Sequence, residues 1–166
     1  STYIGGSKND ACYSVKIDSS YNIVFAGGTS SYDLPQTSGA LPSSYGGGKS
    51  DGFVGKLNPD GSILQRISYL GTINYDQVFF VEIDRNDKVF LLGQSEGCNF
   101  PIINAAYSNP NSGQFIAKLS EDLTTLENST VFGSGNGNID ISPSAFLVDI
   151  CGNIYISGWG ANILKG

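Results

Sequence analysis

The segment VDICGNIYISGWG, Val148 to Gly160, holds a cysteine next to a glycine and the single tryptophan of the chain. A thiol becomes a nucleophile when nearby cations or a helix N-terminus stabilise the thiolate. No Lys, Arg or His lies close to Cys151 in sequence, so it reads as a turn residue. Cys12, Cys98 and Cys151 are 86 and 53 residues apart, and none falls in a CxxC, so the sequence carries no zinc or dithiol motif. Paired carboxylates can hydrolyse glycosides. The close acidic groupings are SED (120–122) and DRND (84–87), and both fall on expected hairpin turns, where solvated acids are ordinary. The loop GSGNGNID (133–140) offers Asn136, Asn138 and Asp140, oxygen ligands of the kind calcium uses. Its counterparts, GGSKND and GTINYD, bring one carboxylate each, Asp10 and Asp76, which suits an aspartate accepting turn amides better than a strong metal site. Tyr32, Tyr45, Tyr107 and Trp159 lie in or near connecting segments. Exposed aromatics there would stack on sugar rings, whereas packing at seams between sheets is their default role. These groupings assign no catalytic, cofactor-binding or metal-ligating residue, imply no cofactor, and leave the binding residues open.

The positions that must carry these groups come from composition and repetition. The chain has 166 residues, 40% apolar and 14% charged, with 22 glycines and an aromatic content of 11%. Aromatics fill strands and glycine supplies positive φ, so this is a β-rich profile with many turns. The net charge is −6, and the nine basic residues are scattered singly, which excludes the basic stripe of a nucleic-acid binder. Histidine is absent, removing the commonest general base and metal ligand. No signal peptide, membrane-length apolar run or transit peptide is visible, and the chain reads as an internal piece of a longer polypeptide.

VDICGNIYISGWG recurs. IDSSYNIVFAGGT (17–29) and IDRNDKVFLLGQS (83–95) share its order: an apolar residue, Asp, turn residues, a polar residue, an apolar run and Gly. Asp18, Asp84 and Asp149 are spaced 66 and 65 residues apart, as are Gly27, Gly93 and Gly158. TYIGGSKND (2–10) matches SYLGTINYD (68–76), and DGFVGKLNPDGSIL (51–64) matches GQFIAKLSEDLTTL (113–126). Such a period marks stacked supersecondary units. Cys151 takes the slot of Ser20 and Asn86, and Trp159 that of Gly28 and Gln94.

The middle copy predicts strands at 53–57, 63–71, 78–84 and 88–95. NPDGS forms the first turn, a Gly-rich loop after Gly71 the second, and Asp84 accepts backbone amides in the third. SEDLTTLENS (120–129) aligns with the first hairpin and is read as turn and strand. Runs such as VFLLG and AFLVDI are apolar on successive residues, as when both faces of a sheet are covered. The expected fold is all-β: a fragment of a β-propeller with about three four-stranded antiparallel blades (roughly eleven strands) of a seven- or eight-bladed ring. Residues 1–52 form a partial blade of three strands plus connection, 53–114 a second blade plus connection, and 115–166 a third. Cys98 and Cys151 fall on opposite rims, ~20 Å apart for six-residue strands, too far for a disulfide.

The pattern Y-[IL]-G-G-x3-D, [IV]-D-x3-N-[IV]-x3-G, [LF]-P and F-[VI]-x-K-L-N-P-D-G resembles the SBBP repeat, a β-propeller repeat of secreted bacterial proteins. Tyr3, Gly5, Gly6, Asp10, Asp18, Asn22, Gly27, Pro35, Phe53 and Lys56 through Gly61 carry it, and the likeness spans essentially the whole chain. DISPSAFLVDICGNIYISGWG is similar to large cell-surface proteins of Bacteroidota with a gliding-motility-associated sorting domain. The middle copy departs at Thr72 and Lys88, which weakens its turn. The resemblance implies type IX secretion, display at the bacterial cell surface and a non-catalytic role in protein–protein interaction, adhesion or gliding. The implied partners are the rest of the same polypeptide and other surface or secretion proteins. A carbohydrate-binding propeller, with surface glycans as partners, is the first alternative; a polysaccharide-degrading enzyme is the second.

Overall fold

In the computed structural model, residues 2–35, 37–41, 44–96 and 99–160 are described, and these contain ten strands and no helix. The first sheet is β1 (Asp10–Ile17), β2 (Ile23–Thr29), β3 (Asp51–Leu57) and β4 (Leu64–Leu70), in that order and antiparallel throughout. The second is β5 (Asp76–Ile83), β6 (Val89–Ser95), β7 (Gln114–Leu119) and β8 (Leu126–Phe132). The third is a hairpin, β9 (Ile141–Val148) with β10 (Ile154–Gly160). The strands expected in the middle copy coincide with β3, β4, β5 and β6, and 120–129 is turn and strand.

Their grouping differs from the sequence expectation. That reading puts 53–57 and 63–71 with 78–84 and 88–95 in one sheet; hydrogen bonding gives the first pair to the first sheet and the second pair to the second. A period fixes which strands recur, but a cycle of four can be cut at any point. Residues 30–50 join neighbouring, paired strands, while the short 71–75 segment crosses between sheets.

The three sheets lie face to face. β5 packs across β1, β2 and β3 and against β9. Val24, Ala26 and Val54 meet Val89, Leu91, Phe115 and Ala117 in the first seam. Phe90 and Leu92 meet Phe146 and Val148 in the second. Alternate residues of β6 therefore point into the two seams, and those of β2 into the first seam and the outer face of its own sheet, which explains the unbroken apolar runs and the near-complete burial of both strands. Residues of the connections after β2 and β6 pack on their own sheets: Leu34 joins the core on the outer face of the first, and Phe100 stacks on Phe115 with ring centroids 3.7 Å apart.

The recurring aspartate sets three of the turns. Asp18 Oδ1 accepts the amides of Ser20 and Asn22 (2.9 and 2.8 Å), Asp84 Oδ1 those of Asn86 and Lys88 (2.8 and 2.9 Å), and Asp149 Oδ1 those of Cys151 and Asn153 (2.8 Å each). The residue three after each Asp is left-handed: Tyr21 at φ 64°, Asp87 at 59° and Gly152 at 82°. Only glycine adopts that region without a Cβ penalty. Tyr21→Gly is expected to raise stability by up to about 1 kcal/mol, after the entropy that glycine adds to the unfolded chain. Urea unfolding of the variant beside the parent checks this.

Candidate functional site

The first group of candidates meets at one rim. Asp18, at the end of the β1–β2 hairpin, forms a 2.7 Å ion pair with Lys56 of β3. Lys56 also donates to the Glu121 carbonyl in the β7–β8 turn of the next sheet (2.9 Å). Ser19 donates its amide (2.9 Å) and its hydroxyl to Asp87 of the β5–β6 turn. Burial opposes ionisation of Asp18, but Lys56 and the donors of Asn22 outweigh it and hold the carboxyl below the usual carboxylate range. These turns enclose a polar cavity of about 350 Å³, with Asp18, Lys56, Arg66, Asp87, Glu121 and Asp122 in its wall. The sequence places the acids of 84–87 and 120–122 on separate solvated turns. The structure brings Asp87, Glu121 and Asp122 into the wall of one cavity with Lys56, a juxtaposition across sheets that no local signal encodes. Asp122 accepts from Ser120 and Thr124, which hold its carboxyl low and engage it in its own turn.

At the opposite rim, three aspartates close the loops that enter first strands. Asp10 accepts from the Gly6 amide (2.9 Å), Asp76 from Thr72 (2.6 Å) and Asp140 from Ser134 (2.6 Å). Ser134 also gives its hydroxyl to Asp140 (2.9 Å), and Asn138 donates to the Asn136 carbonyl (3.2 Å), so the Asp140 carboxylate is engaged within its own loop. Among the described residues, no group of three or more His, Cys, Asp or Glu is placed to hold a metal ion.

A buried carboxylate beside this rim escapes sequence reasoning. Asp51, the first residue of β3, is fully buried. One of its oxygens accepts from the Gly46 amide and the other has no donor in hydrogen-bonding geometry. Burial pushes its pKa up to about 6; the amides of Gly46 and Gly47 oppose the shift and the nearby Asp76 carboxylate adds to it. An aspartate at a strand start reads as a turn residue, and the loop that covers it is glycine-rich and featureless in sequence.

The aromatics divide. Tyr45 packs edge-on against Tyr69 (5.9 Å) in the first sheet's core. Tyr32, Tyr107 and Trp159 are exposed on different segments, with Lys8 over the Tyr32 ring and Trp159 81% exposed on β10. Of the four, Tyr45 alone is packed in a core, and that core lies on the outer face of the first sheet and not in a seam between sheets. Cys12 and Cys151 are free and exposed; the expectation about a Cys98–Cys151 bond falls on Cys98, which lies outside the described residues.

The third sheet presents the most open surface. β2 and β6 are buried almost throughout, whereas β10, their counterpart, is exposed at every residue but Ile156. Among the described residues its outer edge has no paired strand. Leu147, Tyr155 and Trp159 stand uncovered, and the arrangement is suited to association, with backbone donors and acceptors, flat aromatic area and the Asp149 carboxylate close together. No protein-family model matches the chain, and no curated protein matches it either.

Proposed function

We propose that the chain is a segment of a secreted, cell-surface β-propeller that works by display and protein–protein association, without catalysis. The observation that carries this reading is the stacking of three sheets through the same pair of faces, with first strands β1, β5 and β9 in succession and, among the described residues, no strand paired to the outer edge of β10. Sheets that bury both faces against their neighbours are how propellers and related repeat arrays bury apolar surface. The likeness of the repeat to SBBP propellers supports export and surface display, as part of a gliding- or adhesion-related protein.

The exposure of Tyr32, Tyr107 and Trp159 favours a second reading, a carbohydrate-binding surface. A glycan array separates the two. The scaffold reading expects no saturable sugar binding by the parent chain. Strong binding that Trp159→Ala abolishes would overturn it in favour of the lectin, and a glycan-cleaving activity would overturn both.

A further inference from the structure

The outer edge of β10 has two internal precedents. In the first sheet, the equivalent edge of β2 is filled by β3, with Phe53 opposite Gly27, Lys56 opposite Val24 and Leu57 opposite Ile23. In the second, β7 fills the edge of β6, with Phe115 opposite Gly93, Lys118 opposite Phe90 and Leu119 opposite Val89. The same three residue types meet the same three positions twice. On β10 those positions are Gly158, Tyr155 and Ile154.

The lysine finds a different partner in each sheet, and the third offers both. Lys56 pairs with Asp18, whose other donor on that oxygen is the Asn22 side chain (2.9 Å). Lys118 lies over the Phe90 ring, 5.2 Å from its centroid, with Glu127 at 4.0 Å. Asp149 repeats the first arrangement, accepting from the Asn153 side chain at 2.9 Å, and it faces solvent with no cation beside it among the described residues. Tyr155 repeats the second, its ring at the Phe90 position and its hydroxyl 3.1 Å from Asp149. Asn153, the Cys151 amide and Tyr155 keep the Asp149 carboxyl below its ordinary range, so it is charged near neutral pH.

We propose that β10 is a docking edge for an antiparallel strand of pattern F-x-x-K-L, supplied by a further repeat of the same polypeptide. The phenylalanine lies over Gly158, the lysine sits between Asp149 and the Tyr155 ring, and the leucine covers Ile154. Main-chain hydrogen bonds supply the affinity, and these three side chains set the register. The proposal rests on reading the chain as part of a repeat array and names the element that continues it.

The chain supplies its own probe. A synthetic peptide of residues 51–62, DGFVGKLNPDGS, is titrated into the protein while emission is followed from Trp159, the sole tryptophan. The expected result is a saturable blue shift, with slowed amide exchange confined to 154–160. A peptide with Lys56→Glu, or a protein with Asp149→Asn, is expected to weaken binding about fivefold. No shift at millimolar peptide, protection at the free edges of β1, β4 or β8 instead, or equal binding of the charge-reversed peptide would overturn the proposal. The propeller reading fails on a separate observation: sheets in a longer stretch of the polypeptide that do not turn about a common axis.

Discussion

Alanine at Gly93 is expected to destabilise the protein by about 3 kcal/mol or more and to remove its cooperative unfolding transition, as read by urea denaturation. A methyl group there falls inside van der Waals contact with the Phe115 ring and the Gln77 carbonyl. Neither can yield. Phe115 is fully buried and stacked on Phe100, and Gln77 lies on β5, held between the first sheet and β9. The crowding has a common origin in the three sheets. Gly27, Gly93 and Gly158 each stand beside a register shift, where the first strand of the sheet carries an extra residue and presses toward its neighbour. Gly27→Ala is expected to cost less, although its methyl meets the Ala11 carbonyl, because β1 is an edge strand that can move outward. Equal losses at 27 and 93 would contradict the account of β5 as the immobile strand.

Asp51→Asn is expected to stabilise the protein above pH 7, by up to about 3 kcal/mol, and to give no gain below pH 4. The figure follows from a carboxyl raised from 3.8 to about 6, at about 1.4 kcal/mol per unit. The sign follows from proton uptake. Between those values the folded state holds a proton that the unfolded state has released, so parental stability falls as pH rises through roughly 4 to 6 and stays low above. Asparagine keeps an acceptor for the Gly46 amide and removes the buried charge beside Asp76. Unfolding free energies at pH 4, 5, 6 and 8 check this. A difference that does not change with pH would show that the loop amides already balance the ionised form.

Local patterns were the legible part of this chain. The Asp-x3-Asn hairpins, the Pro-Asp-Gly turn and the apolar run VFLLG each follow from bonds or burial within a few residues, and the structure has them where the sequence puts them; AFLVDI is covered on one face only, with Phe146 and Val148 buried and Leu147 exposed. Lys88 shows the limit of a local departure. Its main-chain amide still bonds to Asp84, and only the side-chain bond that Asn22 and Asn153 make is lost, with Lys88 turning to Glu127 at 2.6 Å. What local pattern withholds is which neighbours share a sheet. The 30–50 and 71–75 segments have lengths that suggest the opposite of their roles, because the longer one must leave the sheet plane to place Leu34 and return. The rim cavity and the environment of Asp51 are built from separate turns and strands, so their chemistry appears only after the sheets are stacked.

Leu34 and Phe100 belong to loops that leave and re-enter a single sheet, and each lies on a face of the sheet whose strands it connects. A unit of this kind carries its own gasket. Part of the lining of each sheet's face is thereby supplied from within its own repeat of about 65 residues, and not by the neighbouring repeat.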